Sequence, residues 1–505
     1  MREIDKESVM RKPLVSGEVL RRLGLSAVAI GMSAIAGQTV SSGQVASKTT
    51  EITFAKDVAP ILQEKCQKCH RPGEMAPMSL LTYTEVRPLA RAIKTKVVAR
   101  EMPPWYVDTK IGIQKFKNNA ALSDEQLDTI VRWVDAGAPL GNPADMPPPK
   151  QWPAGNDWRL AEQMGRPPDL VVKAPPYSMS AVANDQYPTL GPVPVGLTED
   201  RYIMAMEIKP NLEGRRILHH TEMSVTQSEP PDPVTRGLAQ AVFVVDHRSP
   251  AHLPLTPLTA PKTTSVQEPR QQPSINSDEA EAEGRIHLLD WEIGKTGDIY
   301  PDNVGKLLKA GARLTWSQHY HAAGKAVTEQ TETGFWFYPK GVVPKYRAFY
   351  VPIGSRYREK LEIPPGVVNE HTAYWTAPAP VLITNFQPHM HIRGKAMSME
   401  AIYPDGRSEV LSYSPNWNFN WHVSAIYADE AAPLLPKGTV IRLTAWHDNT
   451  AANKANPDPA QWVTYGQRSV DEMAHANTEV VFLTEEDYQR MLRERTSKRT
   501  QRTEQ

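Results

Sequence analysis

The stretch Val381-Leu-Ile-Thr-Asn-Phe-Gln-Pro-His389-Met390-His391-Ile392-Arg-Gly-Lys395 sets an apolar run ahead of a His-x-His pair. A second apolar-rich run, Ala396 to Tyr403, follows and ends in the turn Pro404-Asp405-Gly406. Run, turn and run read as β-structure. In an extended strand, residues two apart point to one face, so His389 and His391 can reach a single metal ion together. Neutral imidazole suits copper or zinc. Two histidines on a strand face are also ordinary surface residues, so the rest of the chain has to decide.

The chain has 505 residues, which suggests roughly three domains of ~150 residues. Lys+Arg and Asp+Glu both total 57, and this zero balance points away from nucleic acid. Pro 45 against Gly 29 fits strand-and-loop domains better than long helices. Near the N-terminus Arg11, Lys12, Arg21 and Arg22 precede the apolar run Leu23 to Ala36. That run is short for a membrane span and suits the apolar core of an export signal. Ala34-Ile35-Ala36 lies inside the run rather than after it, so a cleaved leader and an uncleaved anchor both stay open. Residues 1–50 therefore read as export signal and spacer, with the rest periplasmic or otherwise exported. Nothing else in the sequence reads as a membrane span.

Residues 51–145 hold both cysteines of the chain, in Cys66-Gln-Lys-Cys69-His70. C-x-x-C-H reads as attachment of one covalent c-type haem: two thioethers fix its vinyl groups, and the adjacent histidine becomes the proximal ligand. A zinc site would need more cysteine or histidine nearby, and His70 is the only histidine between residues 51 and 145. Phe54, Val58, Ile61 and Leu62 mark one face of a helix running into the motif. Ser123-x-x-Gln126 reads as a capping box for a second helix, with Leu127, Ile130, Val131 and Val134 facing inward and Gly137 ending it. Between them, Met102 precedes Pro103-Pro104, which places it on a stiff loop suited to an axial thioether; Met75 and Met78 are the alternatives. The segment looks like a small all-α cytochrome c domain.

A linker follows at 146–166, within a Pro-, Gly- and Trp-rich stretch from Gly141 to Pro168. Residues 167–355 show strand-like runs at Tyr202 to Ile208 and Ala241 to Val245, interrupted by a mobile insertion at about 249–283. This region carries Leu218-His219-His220-Thr221 and Gln318-His319-Tyr320-His321. Neighbouring strand residues face opposite ways, so His219 and His220 can share an ion only at a bend or through different ring nitrogens. Residues 356–487 add Asn416-Trp-Asn-Phe-Asn-Trp421 and Asp471-Glu472-Met473 after the opening His-x-His. A charged tail, 488–505, closes the chain. Thirteen of the fourteen histidines lie beyond residue 218, which favours metal over chance.

The order of these motifs resembles the type II copper, ascorbate-dependent monooxygenases, the family of peptidylglycine α-hydroxylating and dopamine β-monooxygenases. The motifs are His219-His220, Gln318-His319-Tyr320, His389-Met-His391 with Arg393-Gly-Lys, and Asp471-Glu-Met473. The resemblance covers roughly residues 167 to 485. It implies two all-β jelly-roll-like sandwich domains facing each other across a wet cleft, with one copper on each. Carried over motif by motif, His219, His220 and His319 would hold an electron-storage copper. His389, His391 and Met473 would hold the copper that meets dioxygen. A thioether is a soft ligand and favours an ion that visits Cu(I). His321 has no counterpart; it reads as an alternative to His319 or as a cleft residue. The family's disulfides have no place if haem consumes both cysteines. The arginine that grips a peptide carboxylate is replaced by Gln387, and its helpers correspond to His475 and Asn477, which argues against a peptide substrate.

The expectation is an exported haem- and copper-dependent monooxygenase hydroxylating a C–H bond of a small organic substrate with dioxygen. Its cofactors would be two copper ions, the haem, and ascorbate or another one-electron reductant, with a periplasmic electron donor as partner. The alternative is a periplasmic electron-transfer or copper-binding protein without oxygenase activity.

Overall fold

A computed structural model describes residues 51–503 except 75, 77, 153–155, 229–241, 248–284, 293–294 and 356–360. The leader and the insertion at 249–283 lie outside the described residues. Most of the rest is β-sheet, with few helices.

Most of the helices lie early in the chain, while the longest, Glu485–Thr503, comes after the last strand and takes up the charged tail. A helical turn Phe54–Val58 continues as Ala59–Lys65, and Tyr83–Val86, Ala90–Val98 and Asp124–Asp135 follow. Phe54, Val58, Ile61 and Leu62 are all buried, as the apolar spacing requires. Both halves of the Ser123 capping box form: Ser123 Oγ accepts from Gln126 N at 3.1 Å and Gln126 Oε1 accepts from Ser123 N at 3.0 Å. Gly137 adopts φ +88°, the left-handed geometry that ends a helix. On this last helix Ile130 and Trp133 are the fully buried residues, while Leu127, Val131 and Val134 are half-buried. The face is rotated because Trp133 packs its ring on Phe54.

Two sandwiches follow. In the first, a sheet ordered Thr189–Pro194, Arg313–Tyr320, Leu218–Thr226 and Arg285–Glu292 faces strands Leu170–Lys173, Glu332–Phe337, Arg201–Lys209 and Val304–Leu308. Met206, Trp316, Phe335 and Leu289 fill the space between them. Within Arg201–Lys209, Tyr202 to Met206 reads as a continuous apolar run because both faces of the strand are covered. Ala205 turns away from that core to meet Leu160 and Trp336. The stretch read as a linker thus supplies packing: the short helix Ala161–Met164 follows Leu160, whose amide and that of Arg159 donate to the buried Glu207.

In the second sandwich, a sheet ordered Ser408–Ser414, Gly394–Ile402, Val440–Asp448, Val368–Thr376 and Val242–His247 shares a core with Tyr346–Ser355, Ala474–Phe482 and Val381–Ile383. The turn at Pro404-Asp405-Gly406 forms as read, with Gly406 at φ +85° joining Gly394–Ile402 to Ser408–Ser414. Three segments sit away from the position their sequence neighbours suggest. Strand Val242–His247 pairs with Val368–Thr376 rather than within the first sandwich. Strand Tyr346–Ser355 pairs along its length with Ala474–Phe482. Trp105, Tyr106 and Val107, from the helical segment, lie in the second sandwich's core. There, Ile113 N donates to Leu411 O at 2.9 Å and Lys117 N to Ile426 O at 2.8 Å.

Candidate metal centre

Cross-strand register begins the site. His319 lies directly opposite His220, but the next pair is Tyr320 with Leu218, so His219 is the extra residue of a β-bulge. A bulge re-aims its side chain, and this removes the obstacle of two adjacent histidines on opposite faces. The ring centroids of His219, His220 and His319 come within 4.8–5.3 Å of one another.

The second group forms around Asn385–His389, where His389 lies opposite His475 and the two rings stack at 4.7 Å. His391 falls just beyond the strand end, its ring 5.6 Å from that of His389. Its position is set by Glu472, which accepts the amide hydrogens of His391 at 2.8 Å and Arg393 at 2.6 Å. His391 Nδ1 lies 3.1 Å from the Asp471 carbonyl, an arrangement that places its proton there and leaves Nε2 with a free lone pair. His447 Nε2 lies 3.0 Å from the Met473 carbonyl and steadies the residue that follows Glu472. Met473 shares with His389, His391, His220 and His319 the lining of a cavity of about 40 Å³.

The gap implied between two metal-binding domains is closed here. His220 and His389 are only 5.9 Å apart. Between them stands His422, whose ring is 5.1 Å from His219, 5.1 Å from His220 and 4.8 Å from His389. Phe419 stacks on His219 at 5.1 Å, and Trp417 lies 5.2 Å from His422.

Burial keeps these imidazoles neutral. It depresses His219 to about 3 and His391 to about 4, and holds His220, His389 and His422 well below the usual imidazole range. Neutral rings carry the lone pairs a cation needs, and such a crowd of them in a dry site suits soft or borderline metals. Asp185 takes both His319 Nε2 at 2.9 Å and His321 Nδ1 at 2.8 Å, and the former bond is the chief reason its carboxyl is held below the usual range. His321 itself is 70% exposed and turned to solvent. Gln387 is buried and donates through Nε2 to Glu292 at 2.5 Å and to Asp290 at 3.3 Å, so its amide ties the two sandwiches together. Asn477 accepts from the Tyr350 hydroxyl at 2.5 Å.

At the C-x-x-C-H motif, Cys69 N and His70 N both donate to Cys66 O, at 3.1 and 3.0 Å, so one helical turn presents all three side chains. Both cysteines are free thiols, and burial pushes Cys66 up to about 12. Among the described residues, neither joins a His/Cys/Asp/Glu group close enough to share an ion, which disfavours zinc. His70 Nδ1 lies 3.3 Å from the Met78 carbonyl, leaving Nε2 available for iron. That use of its carbonyl does not make Met78 an axial ligand; its side chain is exposed, Met102 is half-buried, and Met75 lies outside the described residues. The donor set fits a covalent haem.

The sequence pointed to His219, His220, His319, His321, His389, His391 and Met473, with Gln387, His475 and Asn477 beside them, but not to His422, Asp185, Glu292 or the anchoring role of Glu472. His422 had one signal, its place directly after the aromatic-rich Asn416–Trp421. No protein-family model matches the chain, and no curated protein matches it.

Proposed function

We propose that the chain is an exported copper-dependent monooxygenase that hydroxylates a C–H bond of a small organic substrate with dioxygen. Electrons would enter through a c-type haem on Cys66, Cys69 and His70, with Met102, Met75 or Met78 as the axial partner. The observation that carries the reading is Met473 in one cavity wall with His389 and His391. A thioether beside two neutral imidazoles is a donor set that favours copper cycling through Cu(I) over zinc. Copper, when bound, supplies one-electron cycling and the activation of dioxygen.

The chain's own residues do the rest. His389, His391 and Met473 are the set for one ion, and His219 and His220 anchor the other. Glu472 and His447 hold the Met473 loop against the His391 turn. Burial withholds protons from the imidazoles, so an entering cation need not displace them. Trp417 donates through Nε1 to His391 O at 3.1 Å and closes the site from the side of Tyr106. Ascorbate or a periplasmic one-electron donor would serve the haem, and thioether attachment outside the cytoplasm agrees with the leader-like N-terminus.

One observation favours a second reading, a periplasmic electron-transfer or copper-binding protein without oxygenase activity. The cavity of about 40 Å³ admits a few water-sized molecules. Pockets for organic ligands run to about 300–1,000 Å³. Oxygenase activity therefore requires this cavity to widen when a substrate enters.

Oxygen consumption by the full-length, haem- and copper-loaded chain with ascorbate decides between the two. Uptake that stops on chelation and is lost in Met473→Ala supports the oxygenase. Two bound coppers with no uptake on any C–H substrate panel leaves the electron-transfer reading. An alkaline pyridine spectrum lacking the c-type haem band removes the haem.

A further inference from the structure

We infer that His422 is a metal ligand, completing with His219 and His220 a three-imidazole site from which His319 is excluded. The inference rests on the copper reading above and names the third donor of its second ion.

The first observation is an unsatisfied side chain. His422 is 2% exposed, and neither Nδ1 nor Nε2 has a hydrogen-bond partner. A neutral imidazole carries one N–H and one lone pair, and leaving such groups buried without partners is unfavourable. A coordinated cation satisfies the lone pair directly.

Geometry is the second. One nitrogen from each of His219, His220 and His422 lies within 4.8 Å of the others; His422 also falls within that distance of Glu292 and His389, but His389 already serves the ion beside Met473. With metal–nitrogen bonds of about 2.0–2.1 Å, ligand nitrogens around one ion stand about 3.3–3.6 Å apart, within reach of modest ring rotations. His319 belongs to no such group among the described residues. Its Nε2 is held by Asp185, so only Nδ1 is left for an ion, and neither nitrogen comes close enough to two other donors to form such a group.

The third is rigidity. Trp417 and Phe419 wall the His422 ring at 5.2 and 5.6 Å. Just beyond it, Asn118 clasps the chain, donating to Ser424 O at 2.7 Å and accepting from Ile426 N at 3.0 Å. A side chain held this firmly with both nitrogens empty is arranged for a ligand rather than for packing alone. His422 comes from the second sandwich and His219 and His220 from the first, so this ion would clamp the two together.

The test uses the full haem-containing chain with Cu(II) as probe, reading copper per chain by elemental analysis and coordinated imidazoles by pulsed EPR. Wild type should hold two coppers. His422→Ala should hold one, the ion that remains being the thioether-associated one, and added imidazole should restore the second. His319→Ala should hold two and keep three imidazoles on the first. The inference is overturned if His422→Ala keeps both ions with an unchanged spectrum, if it loses the ion at Met473 instead, or if His319→Ala loses the first ion. Should His422→Ala fail to fold, the imidazole count in His319→Ala decides the matter: three supports His422 and two overturns it. Wild type that binds no copper defeats the copper reading itself, a separate result.

Discussion

Replacing Glu472 with alanine should damage one half of the metal centre and spare the other. Glu472 is fully buried, and its two oxygens accept the amides of His391 and Arg393 at 2.8 and 2.6 Å. It stands immediately before Met473, so this carboxylate joins the turn carrying one imidazole to the loop carrying the thioether. Alanine leaves two buried amide donors without an acceptor. Burial lifts this carboxyl to about 8, so the loss is set by the orphaned amides: a buried donor left unsatisfied costs about 1–3 kcal/mol, or about 2–6 kcal/mol for the two. That is a large share of the ~5–15 kcal/mol that holds a typical domain together. Glutamine keeps one acceptor but sets an amide donor against the other N–H, so Glu472→Gln should lose about half as much. Because partners behind metal ligands typically carry about 10–100-fold in affinity, copper should bind that much more weakly at the Met473 site. Urea unfolding of the metal-free protein, followed by tryptophan fluorescence, measures the first effect. Competition with a Cu(I) chelator measures the second, with His219→Ala as the reference for the other ion. A midpoint within 1 kcal/mol of wild type, or equal weakening of both ions, would refute the reasoning.

Further outcomes follow from other buried or capped groups. Ser123→Ala removes one half of the capping box on Asp124–Asp135 and should lower stability by about 1 kcal/mol in thermal melts, with Ser123→Asp recovering most of it. Glu74 is buried among Arg71 at 2.7 Å, Arg159 at 2.5 Å and Arg215 at 3.6 Å; Glu74→Ala leaves them facing one another and should cost about 3–5 kcal/mol, read by the same melts. Burial lifts the Glu329 carboxyl above its ordinary 4.5, and the geometry agrees. The Tyr320 hydroxyl lies 2.5 Å from Gln318 Oε1 and 2.6 Å from Glu329 Oε2, and its single hydrogen serves only one of them. A proton on Glu329 can serve the other contact. The folded state then binds a proton that the unfolded chain has released, so stability falls as pH rises above 4.5 until the folded group also ionises. Glu329→Gln should flatten that slope in melting temperature against pH, and an unchanged slope would place the proton elsewhere.

Features governed by near neighbours could be read directly. The Cys66–His70 turn, the Ser123 box and the Pro404–Gly406 turn each depend on residues within a few positions of one another, and each forms. The His-x-His pair was legible as residue type and spacing, though His391 turned out to be placed by Glu472 rather than by the strand. His219 was the first failure of local reasoning, because the bulge that re-aims it exists only relative to Leu218–His220 facing His319–Tyr320. His422 was the second: it is a lone histidine with no periodic signal, and it matters only because Trp417, Phe419 and the Asn118 clasp hold it between two groups of imidazoles.

The amino-acid sequence by itself determined the chemistry on offer: two thiols and a histidine spaced for one helical turn, imidazoles concentrated in the later part of the chain, and a thioether behind an acidic residue. Only the tertiary structure decided which of these meet. Strand Val242–His247, the segment around Trp105–Val107 and the first sandwich's own histidines were all drawn to partners far along the chain. The physical reason is that burial and pairing reward any surface that fits, whatever its separation in sequence, whereas spacing and propensity report only on neighbours.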